Sequence, residues 1–168
     1  NALGKTESWF ILDAKKDAAI IIGHKAQSHD ELQSLIDTKE YGKLLKRFSV
    51  KKDDLFDIPA GTIHAICSGT VLLEVQQASD ITYRLYDYDR LENGQPRTLH
   101  KKQAMDVIDV PSRPLTHTGN TEYFSFHISN FEKDSCVADL YGDYYVILEG
   151  QGILDNLAVS KGDFVFVP

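Results

Sequence analysis

Ile58-Pro59-Ala60-Gly61-Thr62-Ile63-His64-Ala65-Ile66 is the stretch on which the reading of this chain turns. Leu55, Phe56 and Ile58 predict a short apolar strand that ends at Pro59, whose ring fixes φ and removes a backbone donor. Gly61 permits a tight reversal. His64 then opens a new strand between Ile63 and Ala65, in a stiff frame. An imidazole presented from such a β-framework suits a metal ion.

Working outward, the signal is mostly strand. Trp9–Leu12 and Ala18–Ile22 predict two strands joined by the polar turn 13–17. The continuous run Ile20-Ile21-Ile22 suits a strand buried on both faces. Ser28-His29-Asp30-Glu31 fits a capping box, with Leu32, Leu35 and Ile36 following at helical spacing. Thr38 is a candidate cap for a second helix with Tyr41, Leu44, Leu45 and Phe48 on its apolar face. A helical insert over 28–49 is therefore expected, with Lys39, Lys43, Lys46 and Arg47 facing water. Thr70–Gln77 and Ile81–Tyr88 are rich in β-branched and aromatic residues and predict strands. Asn93-Gly94 marks a tight turn, and 101–108 a short helix. Pro111 and Pro114 mark a linker. Beyond it, Thr121–Ser129, Cys136–Leu140, Tyr144–Leu148 and Phe164–Val167 predict a second β unit. Many short strands with glycine turns imply an all-β barrel or jelly roll.

Two segments echo each other. Lys51-Lys52-Asp53-Asp54-Leu55-Phe56-Asp57-Ile58-Pro59 parallels Ser160-Lys161-Gly162-Asp163-Phe164-Val165-Phe166-Val167-Pro168. Each is a polar turn with Asp, a short apolar strand and a proline, as duplication of one β unit would produce.

The chain has 168 residues, with Lys+Arg 18 against Asp+Glu 25. That acidity argues against nucleic acid as a partner. Cys67 and Cys136 form no paired motif, so a reduced, cytoplasmic setting is expected. No apolar run reaches the length of a membrane span, so no membrane partner is expected.

Three motifs in order carry a resemblance over essentially the whole chain: Gly4-Lys5-Thr6-Glu7, the segment Ile58–Ile66, and Leu73-Glu74-Val75-Gln76-Gln77-Ala78-Ser79-Asp80-Ile81-Thr82-Tyr83-Arg84-Leu85-Tyr86-Asp87-Tyr88-Asp89-Arg90. Together they resemble type I mannose-6-phosphate isomerase in its short bacterial form, a member of the cupin superfamily. The resemblance implies an all-β double cupin. Residues 1–110 would be a metal-binding unit carrying the helical insert, and 115–168 a second, incomplete unit without metal ligands. It implies one zinc ion, with Glu7 and His64 as two of its ligands. A Gln-x-His pair would supply the rest, upstream of Asn1, so the chain is expected to be a piece of a longer enzyme. His24, His29, His100, His117 and His127 have no spacing that suggests a second metal site.

The implied reaction interconverts mannose 6-phosphate and fructose 6-phosphate. A proton leaves C2 and returns at C1 through an enediol, which needs a base, an oxyanion partner and a cationic grip on the phosphate. Arg84 matches the family's catalytic position. A guanidinium keeps its proton, so its residue-level role is to stabilise the enediolate. Glu74 and Lys5 are candidates for acid–base work, as is a water on the metal. Arg90 is a candidate phosphate ligand, and Asp80 a candidate orienting partner for Arg84. Without the resemblance, Glu7 reads as a surface carboxylate, Arg84 as a strand residue stacked on tyrosines, and Arg90 as a surface ion pair. The rival functions are a non-catalytic cupin sugar-binding module that lacks the upstream ligands and a metal-dependent cupin oxygenase, which one well-placed histidine does not favour.

Overall fold

The computed structural model describes residues 4–131 and 142–168. They divide into two compact units, Asn1–His127 and Ile128–Pro168. The first is built on two three-stranded antiparallel sheets. In one, β1 (Glu7–Ala14) lies between β4 (Leu55–Ile58) and β6 (Thr70–Gln76). In the other, β2 (Ala19–His24) lies between β3 (Leu45–Ser49) and β5 (His64–Ile66). All six residues of β2 are buried, as its isoleucine run requires. Trp9 and Ile11 of β1, Ile20 and Ile22 of β2, and Phe56 and Ile58 of β4 meet in one apolar cluster. Burying each large side chain there contributes about 1.5–3 kcal/mol. Strand parity puts Glu7 on the same face of β1 as Trp9 and Ile11, so a carboxylate enters the interior.

The helical insert is shorter than the sequence suggests. Helix α1 (His29–Asp37) starts as expected, with the Ser28 hydroxyl accepting from the Glu31 N–H, and buries Leu32 and Ile36. Thr38, however, ends α1: its hydroxyl donates to the Ser34 carbonyl. Helix α2 is a single turn, Tyr41–Leu44, and Leu45–Ser49 is strand β3 rather than helix. Phe48 and Arg47 pair with Ile20 and Ile21. The demand of β2 for a ladder partner overrides a helical pattern already weakened by Gly42.

Two further expectations fail for local reasons. Ile81–Tyr88 forms no strand. The Arg84 N–H donates to His100 Nδ1, and its carbonyl accepts from the His100 N–H at 2.8 Å, so its ladder groups are already engaged. Tyr88 and Asp89 also hold φ of 55° and 54°, outside the strand region. Residues 121–129 form turns with one isolated bridge, Asn120 to Ser125. The Thr121 hydroxyl accepts from the N–H groups of Tyr123 and Phe124, a local alternative to a ladder. Asn93-Gly94 does close a hairpin between β7 (Leu91–Glu92) and β8 (Gln95–Pro96), and helix α3 spans Lys101–Val107.

Sequence reading placed the unit boundary at Pro111–Pro114; the first compact unit runs on to His127. Asp57 holds the extra segment. Its buried carboxylate accepts from the Ser8 hydroxyl at 2.9 Å, the Thr118 N–H at 2.8 Å, the Thr118 hydroxyl at 3.0 Å and the Gly119 N–H at 3.1 Å. Burial alone would raise its pKa, but the donors from Thr118, Ser8 and Thr116 outweigh it and hold the carboxyl below its ordinary value.

In the second unit, β9 (Asp143–Val146) pairs with β12 (Phe164–Val167), and β10 (Gln151–Leu154) pairs with β11 (Leu157–Ser160). The expected strand Cys136–Leu140 lies outside the described residues. The sequence echo has a conformational counterpart. The Asp54 carboxylate accepts from the Lys51 N–H, and Asp163 accepts from the Ser160 N–H, three residues back in both cases. Asp53 and Gly162, at matching positions, have φ of 72° and 96°. Each turn then feeds a four-residue strand ending before proline.

Candidate functional site

Glu7 is 1% exposed. One of its oxygens, Oε1, is 2.9 Å from the Lys5 ammonium, which also donates to Gln76 Oε1. The other, Oε2, is buried without a hydrogen-bond partner and lies 3.7 Å from His64 Nε2. That is too far for a hydrogen bond. The pair spans the two sheets, since Glu7 sits on β1 and His64 on β5.

The imidazole is oriented from behind. His64 Nδ1 is 2.8 Å from the Thr62 carbonyl. A carbonyl only accepts, so Nδ1 carries the hydrogen, and the lone pair of the neutral ring is on Nε2. Trp9 packs edge-on against the ring, with centroids 5.5 Å apart. Gly61 fixes the loop that delivers it: its φ is 86°, and a Cβ there would lie 2.9 Å from the Val107 carbonyl oxygen.

An orphaned buried carboxylate oxygen facing an available imidazole nitrogen fits half of a cation site. Two ligand atoms on a tetrahedral zinc are about 3.3–3.4 Å apart, from bond lengths of about 2.0–2.1 Å. The observed 3.7 Å is within a few tenths of an ångström of that span. The partners that orient each ligand, Lys5 and Thr62, are of the kind metal sites use. Among the described residues, no group of three or more His, Cys, Asp or Glu side chains could hold a metal ion. Glu7 and His64 thus offer two donor atoms, and the described residues offer no third.

Glu74 adjoins this group. It pairs with Trp9 across β1 and β6, and its Oε2 accepts from Trp9 Nε1–H at 2.9 Å. Lys5, Glu7, Glu74 and His64 therefore gather around Trp9 and Gln76, two residues the sequence reading did not single out. The parity that groups Trp9 with Glu7 was the available signal.

Arg84 and Arg90 form a second cluster, around Asp87. This carboxylate is 5% exposed; Arg90 donates to Oδ1, Arg84 Nε is 3.9 Å from the same oxygen, and Arg97 Nε is 3.4 Å from Oδ2. The Arg90 hydrogen bond, reinforced by the charges of Arg90, Arg97 and Arg84, lowers the pKa of Asp87 against the opposing effect of burial. Arg84 also donates to the Thr98 carbonyl. The expected partnership of Arg84 with Asp80 is corrected: Asp80 is exposed, and the carboxylate beside Arg84 is Asp87. The two clusters share a floor, since Ile63 and Leu85, neighbours of His64 and Arg84, pack on the same apolar cluster under α1 and α3.

The Bacillus subtilis mannose-6-phosphate isomerase ManA is 52% identical to this chain over 121 residues, 71% of this chain and 38% of its own length. The chain belongs to the mannose-6-phosphate isomerase family. A second Bacillus subtilis relative, YvyI, is 50% identical over an alignment of 188 positions that takes in 99% of this chain and 59% of its own length. The crystal structure of the mannose 6-phosphate isomerase from Bacillus subtilis superposes with a TM-score of 0.76 at 33% identity, over 98% of this chain and 59% of that one. The mostly-β architecture is thus that of a cupin isomerase. No family model matches the chain. The chain spans 34% to 59% of the length of the curated relatives it matches. No helix among the described residues is long and apolar enough to cross a membrane.

Proposed function

We propose that the protein is a zinc-dependent mannose-6-phosphate isomerase that interconverts mannose 6-phosphate and fructose 6-phosphate in the cytoplasm. The observation that carries this reading is the buried Glu7 Oε2 aimed at His64 Nε2 in a chain whose relatives bear that name. Glu7 and His64 would hold the ion, with its remaining ligands contributed by sequence upstream of Asn1. Zinc bound there supplies Lewis acidity toward the sugar oxygens.

The chain's own residues supply the rest. A base takes the proton from C2 while the C1 oxygen takes up the electrons and a proton to form the enediol; loss of the O2 hydroxyl proton then makes C2 the carbonyl as the first proton is delivered to C1. Glu74 is suited to this because, among the described residues, the indole of Trp9 engages its Oε2 and no hydrogen bond engages its Oε1. Lys5, held against Glu7, is the other candidate. Arg84 offers a permanent positive charge to the enediolate oxygen, and Arg90 offers one to the phosphate. Asp80, exposed, is a candidate polar contact at the substrate's edge. The relatives' names favour this reading over a non-catalytic sugar-binding module.

The test is isomerisation of mannose 6-phosphate by the full-length protein, with metal content measured alongside. His64→Ala is expected to lower zinc affinity by more than the roughly 10–100-fold that losing an outer-shell partner costs and to abolish turnover. Full zinc occupancy in that variant would overturn the ligand assignment, and a folded wild-type protein with no isomerase activity would overturn the function.

A further inference from the structure

The Asp87 cluster holds three guanidiniums on one buried carboxylate, and no expectation from the sequence gave Asp87 or Arg97 a role. We infer that Asp87 is a positioning residue that holds Arg84 and Arg90 in fixed orientation toward a phosphosugar, with Arg97 bracing the opposite oxygen. The inference rests on the proposed isomerase function.

The geometry divides the labour. Oδ1 faces Arg90 and Arg84, while Oδ2 faces Arg97 at 3.4 Å and makes no hydrogen bond of its own. The arginines come from different segments: Arg84 and Arg90 flank Asp87, and Arg97 returns from beyond the Asn93-Gly94 hairpin. One negative charge among three positive ones leaves a surplus of two, which matches a phosphate dianion in sign and size. Mutual repulsion would otherwise drive the three side chains apart into solvent, and one shared carboxylate removes that tendency. The platform is rigid as well as charged. Tyr86 stacks on Tyr41 with centroids 4.3 Å apart, Tyr86 meets Tyr88, and the Arg90 guanidinium lies over the Tyr88 ring at 5.9 Å.

The experiment compares wild-type and Asp87→Asn full-length protein for kcat and KM with mannose 6-phosphate, and for affinity toward inorganic phosphate by calorimetry. Zinc content and melting temperature are read alongside. Asp87→Asn keeps the shape but removes the charge. It is expected to lower kcat about tenfold or more through loss of Arg84 orientation and to weaken phosphate binding about fivefold or more through Arg90, with zinc content unchanged. Values within about twofold of wild type on both readouts overturn the inference. If the Asn variant does not fold, Asp87→Glu, which keeps charge and moves it by one methylene, decides: a smaller loss in the same two quantities supports the inference, and wild-type values overturn it. If the wild-type protein does not isomerise mannose 6-phosphate, the proposed function falls, and the phosphate arm alone tests Asp87. Failure of wild type to bind inorganic phosphate overturns the inference directly.

Discussion

Replacing Asp57 by Asn tests the fold where it is most dependent on a single charge. Among the donors the carboxylate serves are Ser8 Oγ and Gly119 N on Oδ1 and Thr118 N and Thr118 Oγ on Oδ2. An Asn amide group must replace one of those oxygens. The facing hydroxyl can rotate to accept, but the facing backbone N–H cannot. Either orientation therefore orphans one backbone donor, at about 1–3 kcal/mol, and removes the charge assistance on the bonds that remain. Against this, the variant no longer buries a charge. The net loss is expected at about 2–3 kcal/mol near pH 7. Urea denaturation followed by circular dichroism measures it. The pH dependence adds a second check with a definite sign. The folded-state pKa of Asp57 is lowered, so its contribution is present above the unfolded value near 3.8 and fades as pH falls through the folded value. The gap between wild type and variant should therefore narrow below about pH 4. A loss under about 0.5 kcal/mol at neutral pH, or a gap that stays constant into acid, would refute the reasoning.

Gly61→Ala is expected to destabilise by about 2–4 kcal/mol, from a strained positive φ and a Cβ pressed on the Val107 carbonyl and the Asp109 carboxylate. Because the same loop delivers His64, weaker zinc binding should accompany the lowered melting temperature; a melting temperature equal to that of wild type would contradict the account. Arg84→Lys should cut turnover by about tenfold or more while leaving the urea midpoint nearly unchanged, since a lysine keeps the charge but not the planar fork. Kinetics equal to wild type would exclude Arg84 from the reaction.

The elements legible in the sequence were those set by local chemistry. The Ser28–Glu31 cap, the Asn93-Gly94 hairpin and the Pro59–Gly61 reversal each follow from one or two residues, and each forms. The matching turns were also readable, because an Asp three residues after a turn start gives the same backbone contact in both segments. Leu45–Ser49 was not readable. Its side chains fit a helix face, and only the need of β2 for a second neighbour makes it a strand. Ile81–Tyr88 failed for the opposite reason: its residues favour strand, but Arg84 and Asp87 are committed to contacts from residues 97–100. At the site, the resemblance singled out Glu7, and the Pro-Gly turn singled out His64. Asp87 lies three residues from both Arg84 and Arg90, closer to Arg84 than Asp80 is, but its burial among three guanidiniums depends on Arg97 returning from beyond the hairpin, which spacing alone does not show.

Trp9 is the one tryptophan in the chain. It is sealed from solvent, tied through its indole nitrogen to Glu74 and set edge-on to His64. Its fluorescence is consequently a built-in gauge of the imidazole beside it. A cation held beside that ring would change the electric field at the indole. Adding zinc to the unlabelled protein while watching a single emission band therefore reads this corner of the molecule without any introduced probe.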